Sequence, residues 1–205
     1  MILYGASGHA KVIIDCLQSQ GIEISVIYDD DIAKKWLLGY EIEHNLEKII
    51  SLKEPIIIAI GDNSIRKSIS EKLFSSIINH QSSIIYHPSS IISSETKIEE
   101  GTVVFQNAVI QTGTLIGRYA IINTSASIDH DCKLGDFIHI APNATLCGGI
   151  TVGEGSLIGA GSVVIPNIKI GKWCIIGAGS VVTRDIPDNT MVVGNPGRIV
   201  KKVNG

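Results

Sequence analysis

From Ile92 onward, every sixth residue is aliphatic: Ile92, Ile98, Val104, Ile110, Ile116, Ile122, Ile128, Leu134, Ile140, Leu146, Val152, Ile158, Val164, Ile170, Ile176 and Val182. A helix needs a period near 3.6 and a plain strand a period of 2, so a strict six fits neither alone. It fits a short strand followed by a tight turn, repeated three times per coil. Four residues after each aliphatic stands a residue that is usually small: Thr102, Ala108, Thr114, Ala120, Ala126, Cys132, Ala144, Ser156, Ser162, Cys174 and Ser180. Alternate strand residues share a face, so the aliphatic and the small residue two places before the next one are both expected to point inward. Glycine follows the aliphatic at 117, 135, 153, 159, 171 and 177, and is expected to supply the turn. Three hexads make an 18-residue coil. Five stacked coils form a parallel β-prism about 25 Å long.

Residues 1–85 read differently. Ile2-Leu3-Tyr4 is a short apolar strand, Gly5-Ala6-Ser7-Gly8-His9 a glycine-rich turn, and Val12, Ile13 and Leu17 the start of a helical pattern. This layout aims backbone N–H groups at phosphate, although many strand-to-helix turns use glycine for steric reasons alone. A second apolar run, 24–28, ends in Asp29-Asp30-Asp31. Acids there contact the sugar or base of a nucleotide in many α/β domains, and they also suit a solvated turn. A third run, 56–60, ends in Gly61-Asp62-Asn63, with Arg66 and Lys67 opening the next helix. The three strand ends are expected to gather at one edge of a small parallel sheet sized for a mononucleotide or nucleotide sugar. The expected organisation is therefore an α/β Rossmann-like domain over 1–85 and an all-β parallel β-helix over 86–205, joined near Tyr86-His87-Pro88.

Composition narrows the function classes. The net charge of -3 and the lack of lysine and arginine clusters argue against a nucleic-acid surface. No apolar stretch approaches a membrane span, and the start lacks the charged region of a signal peptide, which places the chain in the cytoplasm. Cys16, Cys132, Cys147 and Cys174 contain no CxxC pair and are expected to be reduced, buried or half-buried small residues.

The two halves together resemble the PglD/NeuD-like acyltransferases of sugar biosynthesis. The carriers are YGASGHAKV, IAIGDNSIRK, NTSASIDHDC and VVGNPGRIVKK. The resemblance implies a left-handed β-helix. It also implies transfer of acetyl from acetyl-CoA, without metal, to the 4-amino group of a nucleotide-linked 4-amino-4,6-dideoxy sugar. The product would serve surface glycan or glycoprotein biosynthesis, such as O-antigen or capsule. His130 would be the general base, beside Asp131, where relatives carry Glu. Asn123 and the Gly148 N–H would complete the catalytic set. His139, Gly148, Ala160 and Ala178 would meet acetyl-CoA, and Gly8, His9, Asp29, Asp30 and Asn63 the nucleotide sugar.

Coil arithmetic bears on that site. His130 and Gly148 are 18 apart, which puts them about 5 Å from each other along the axis. Ala160 and Ala178 are also 18 apart and suit a straight cofactor track. Asn107, Ser125, Asn143, Gly161 and Gly179 form another polar or small column near it. His139 lies half a coil from His130, so the two can cooperate only across a subunit boundary. A homotrimer with three interfacial sites is therefore expected. His9 alternatively caps its helix or is exposed, and His44, His80 and His87 have no supporting pattern. A sugar O-acetyltransferase acting on a sialic-acid-like acceptor shares the fold. A zinc-dependent trimer would need three converging histidines, and a non-catalytic scaffold would show no acetyl-CoA turnover.

Overall fold

The computed structural model describes residues 1–76 and 82–203; His80 lies outside them. The front domain runs β1 (Ile2–Tyr4), α1 (Gly8–Ser19), β2 (Val26–Tyr28), β3 (Trp36–Leu37), β4 (Tyr40–Glu43), α2 (Leu46–Ser51), β5 (Ile56–Ile58) and α3 (Asn63–Ser76). Its sheet has the order β3-β4-β2-β1-β5. β1 is parallel to both β2 and β5, so the three strand ends named above do converge at one edge. In α1 the buried residues Ala10, Ile13, Ile14 and Leu17 follow helical spacing. That stripe packs on Leu3 and Ile57 from one side and on Ile85, Val103, Phe105 and Ile121 from the other, in one apolar cluster spanning both parts of the chain.

β6 (Ile85–Tyr86) pairs with Val103–Val104 and opens the left-handed β-helix. Two-residue strands then cycle through three faces. The first face carries Ile91–Ile92, Val109–Ile110, Ser127–Ile128, Thr145–Leu146, Val163–Val164 and Val181–Val182; the second runs from Lys97–Ile98 to Lys169–Ile170; the third continues from β6 through His139–Ile140 to Ile175–Ile176. Through Val163↔Val181 the rungs pair in parallel with the residue 18 places on, as at Ser127↔Thr145, and the last pairings, Ile170↔Ile186 and Ile175↔Met191, span 16. The hexad aliphatics from Val104 to Val182 are all buried and form the core; Ile92 and Ile98, at the open top, are only partly covered.

The small-residue position is inward as expected, and where it is polar its hydroxyl does specific work. Thr102 Oγ1 accepts from the Ala120 N–H at 3.1 Å and donates to the Gly117 carbonyl at 2.9 Å. Ser156 repeats this with Cys174 and Gly171. Buried hydroxyls are thereby satisfied by joining adjacent rungs.

The turn expectation needs correction. The left-handed residue of each corner stands three places after the aliphatic, at Asn107, Tyr119, Ser125, Asp131, Phe137, Asn143 and Trp173 among others. The glycines directly after the aliphatic do not have positive φ. They are glycine because rungs stack backbone on backbone: a Cβ on Gly153 would lie 2.6 Å from the carbonyl carbon of Gly171. One corner, between the second and third faces, is aromatic. Tyr119 and Phe137 stack at 5.3 Å with ring planes 4° apart. Gly101 and Gly155 in the same column make room for the rings of Tyr119 and Trp173. After the last full rung the chain adds Thr190–Val193 to the third face and turns through a cis Asn195-Pro196 bond. It then returns as the antiparallel edge strand Arg198–Lys202. Among the described residues no helix is long and apolar enough to cross a membrane.

Candidate active site

His130 stands outside the core at the corner between the first and second faces, with its side chain 57% exposed. Its Nδ1 lies 2.8 Å from Asp131 Oδ2. A carboxylate only accepts, so Nδ1 carries the proton and Nε2 of the neutral ring is left as the basic nitrogen. The hydrogen bond to Asp131, aided by the Asp129 charge, raises the imidazole above its ordinary range. Asp131 is itself a left-handed corner residue, φ 59°. Gly113, one rung above, is the glycine that clears space for it, since a Cβ there would meet Asp131 Oδ1 at 2.5 Å. One rung below His130 lies Gly148, and a Cβ on Gly148 would fall 2.6 Å from His130 Nε2. Among the described residues the Gly148 N–H has no acceptor, whereas the next N–H, of Gly149, is taken by the His130 carbonyl at 2.9 Å. A base and an N–H donor are thus adjacent, in register, with no side chain between them.

His139 belongs to the third face, opposite the corner that holds His130. It points away from the helix core but is covered by the front domain of its own chain. Asn123 Nδ2 lies 3.0 Å from His139 Nε2, and the Asn123 oxygen is engaged by the Thr124 N–H. Nε2 therefore accepts and Nδ1 carries the proton, with the Gly61 carbonyl as a further partner of the ring. Burial, with the Arg66 charge adding to it, lowers His139 to about 4. His9 neither caps α1 nor stands exposed. Its ring meets Phe105 edge-on at 5.4 Å, and burial, with His139 and Arg66 nearby, lowers it too to about 4. Its Nε2 has no partner among the described residues.

At the sheet edge, Asp29 is buried and accepts from the Ala6 N–H at 2.7 Å, from Lys34 Nζ at 2.8 Å and from the Asp31 N–H at 2.9 Å. Burial opposes its charge, but these donors together hold it below the usual carboxylate range. Asp30 accepts from the hydroxyls of Tyr4 and Tyr28. Gly8 opens α1, and a Cβ on it would meet nothing within 4 Å. Asn63 Nδ2 donates to the Gly155 carbonyl at 3.0 Å, tying it to the helix. A cleft of about 310 Å³ lies between the two parts of the chain, walled by residues 61–64 of the front domain and by His139, Leu157, Trp173 and Ile175 of the helix. Ala160 and Ala178 are exposed at the remaining corner, beside Gly161 and Gly179, where added Cβ atoms would meet only open space.

The structure therefore gathers Gly8, Asp29 and Asp30 at the sheet edge. His9, Asn63, Asn123 and His139 gather at the domain junction, and His130, Asp131 and Gly148 at a separate corner. Sequence reasoning gave no role to Gly61, Arg66 or Trp173. Arg66 was visible as a residue opening the third helix and as a member of the IAIGDNSIRK motif, with no contact implied. Among the described residues no group of three or more His, Cys, Asp or Glu side chains is placed to hold a metal ion.

Comparison with known proteins agrees with this architecture. The model of the PglD N-terminal domain matches residues 1–73, and that of the bacterial transferase hexapeptide matches residues 149–184. GDP-perosamine N-acetyltransferase of Escherichia coli O157:H7 is 32% identical over 165 residues, 74% of this chain and 71% of the relative. PerB from Caulobacter crescentus, solved with CoA and GDP-perosamine, superposes with a TM-score of 0.92 at 35% identity, covering 98% of this chain and 96% of that one. The acetyltransferase domain of PglB from Neisseria gonorrhoeae, solved with acetyl coenzyme A, gives 0.88 at 32% identity over 97% and 98% of the two chains. The chain belongs to the PglD-like, hexapeptide-repeat family of sugar acyltransferases.

Proposed function

We propose that this protein transfers an acetyl group from acetyl-CoA to the 4-amino nitrogen of a nucleotide-linked 4-amino-4,6-dideoxy sugar, with GDP-perosamine the leading candidate. The observation that carries the reading is the pairing of His130 with Gly148: an imidazole whose Nδ1 is held by Asp131 and whose Nε2 is unengaged, one rung from an unengaged N–H. Support for the substrate comes from relatives matched over 74% and 98% of this chain whose names give GDP-perosamine as substrate or bound ligand. In the reaction the sugar amine attacks the thioester carbonyl while His130 Nε2 takes its proton. The Gly148 N–H steadies the developing oxyanion, and the CoA sulfur leaves as thiolate. Asp131 orients the ring and stabilises the imidazolium. Gly8, His9, Asp29, Asp30 and Asn63 form the nucleotide-sugar side, and the open track past Ala160 and Ala178 takes the pantetheine arm.

A homotrimer completes the site. The first face presents Ile91, Val109, Ser127, Thr145, Val163 and Val181, none of them charged, whereas the second presents Lys97, Lys133 and Lys169. Packing the uncharged faces around a threefold axis brings the His130 corner of one subunit beside the Ala160 corner and third face of the next. The division at residues 85 and 86 then separates a sugar-holding part from a cofactor-holding part. A cytoplasmic location fits the four free thiols.

The test is thiol release from acetyl-CoA with GDP-, UDP- and dTDP-linked 4-amino sugars, alongside His130→Ala. Turnover with GDP-perosamine and its loss in His130→Ala is the expected result. Thiol release with a sialic-acid-like acceptor alone would move the assignment to O-acetylation. No turnover with any amino sugar would overturn it.

A further inference from the structure

Arg66 is 1% exposed and forms no ion pair among the described residues. Its guanidinium has six acceptors. Nε donates to the Tyr119 carbonyl at 2.8 Å. Nη1 donates to the carbonyls of Ile60 and Gly61 at 3.0 and 3.2 Å. Nη2 donates to Asn63 Oδ1 at 2.8 Å and to the carbonyls of Phe137 and Ile138 at 3.0 and 3.2 Å. Tyr119 and Phe137 are corner residues 18 apart, and the next corner in that column is Gly155, whose carbonyl accepts from Asn63. Two side chains from the first turn of α3 thus take one corner carbonyl from each of three successive rungs.

An apolar side chain would fill this junction without burying a cation. Arginine is used where its planar fork of five donors matches fixed acceptors, which the single ammonium of lysine does not. Burial lowers the guanidinium to about 9, so it remains charged at neutral pH. Of the residues it fixes, Gly61 and Asn63 line the cleft, and the Gly61 carbonyl is also a partner of the His139 ring.

We propose that Arg66 is a positioning residue for the nucleotide sugar, locking the turn 60–62 and the start of α3 to three helix rungs so that the cleft facing His139 is shaped before substrate arrives. The proposal rests on the reading that this segment faces the nucleotide sugar. Its charge beside His9 and His139 also favours their neutral forms, which keeps both imidazoles available as hydrogen-bonding groups.

The test is steady-state kinetics of Arg66→Lys and Arg66→Gln with both substrates varied. The KM for the nucleotide sugar should rise about tenfold or more in each, as small misplacements do in positioned sites, and by a clearly larger factor than the KM for acetyl-CoA, which His139 alone of the cleft residues is expected to meet. An unchanged sugar KM, or equal rises in both KM values, would overturn the proposal. Hydrogen exchange on the unaltered protein decides the matter if the variants do not fold. The amides of 62–66 should exchange as slowly as rungs 119–138, and exchange at the pace of α2 would overturn it. If the unaltered enzyme acetylates no nucleotide sugar, the functional reading fails, while the exchange result still judges the lock itself.

Discussion

Gly148 faces the His130 imidazole with no side chain, and the position its Cβ would occupy is 2.6 Å from Nε2. The glycine leaves the basic nitrogen open to substrate. Gly148→Ala should therefore lower kcat at least tenfold, in the range over which a general base contributes. The exposed ring can swing aside, so the melting temperature should shift little. Equal activity in Gly148→Ala would show that Nε2 does not work from this position.

Asp131 raises the His130 pKa by accepting its Nδ1 proton. A general base works only when neutral, so the rate rises with pH through that pKa. In Asp131→Asn the pKa falls, and the acidic limb of kcat/KM should move to lower pH while the plateau drops. A limb that stays in place would mean that another group sets it. By linkage the raised pKa makes the protonated ring favour the folded state, a contribution present below the unfolded pKa and lost as pH rises through the folded one, and kept small because the ring is solvent-screened.

Stacking predicts where glycine is obligatory. A Cβ on Gly153 would press on the backbone of Gly171 and Lys172 at 2.6 Å. Backbone cannot rotate away, so Gly153→Ala should cost about 1–3 kcal/mol or more, as overpacked cores do. Denaturant or thermal unfolding checks this; unchanged stability would contradict the rung spacing.

Gly8 should behave oppositely. It lies in α1, and a Cβ there meets nothing. Gly8→Ala should leave stability equal or raise it by about 0.5–1 kcal/mol, since alanine favours helix. If the open space is where the nucleotide diphosphate sits, the nucleotide-sugar KM should rise in the same variant. Unaltered binding would place the ligand elsewhere.

Much of the helix was legible because one period recurs: a hexad aliphatic such as Ile140 must be inward whatever surrounds it. The register of His130 over Gly148 followed from the same count. The corner residue was not legible, since the turn imposes positive φ at that place whatever residue fills it, and at Tyr119, Phe137 and Trp173 this runs against local preference. The glycines after the aliphatics were misread because glycine for a turn and glycine for close approach look alike in sequence. Arg66 was opaque for another reason. Five of its six acceptors are backbone carbonyls, which leave no mark on residue identity. His139 was seen as outward-facing, but its cover by the front domain depends on how the two parts dock.

The most direct test of the account mixes His130→Ala and His139→Ala, each expected to be inactive by itself, after dissociating and reassembling the oligomer. If each site joins His130 of one subunit to His139 of the next, random cyclic trimers should regain about a quarter of wild-type activity, because that fraction of interfaces carries both intact residues. No recovery in reassembled, mixed trimers would contradict a site divided between subunits.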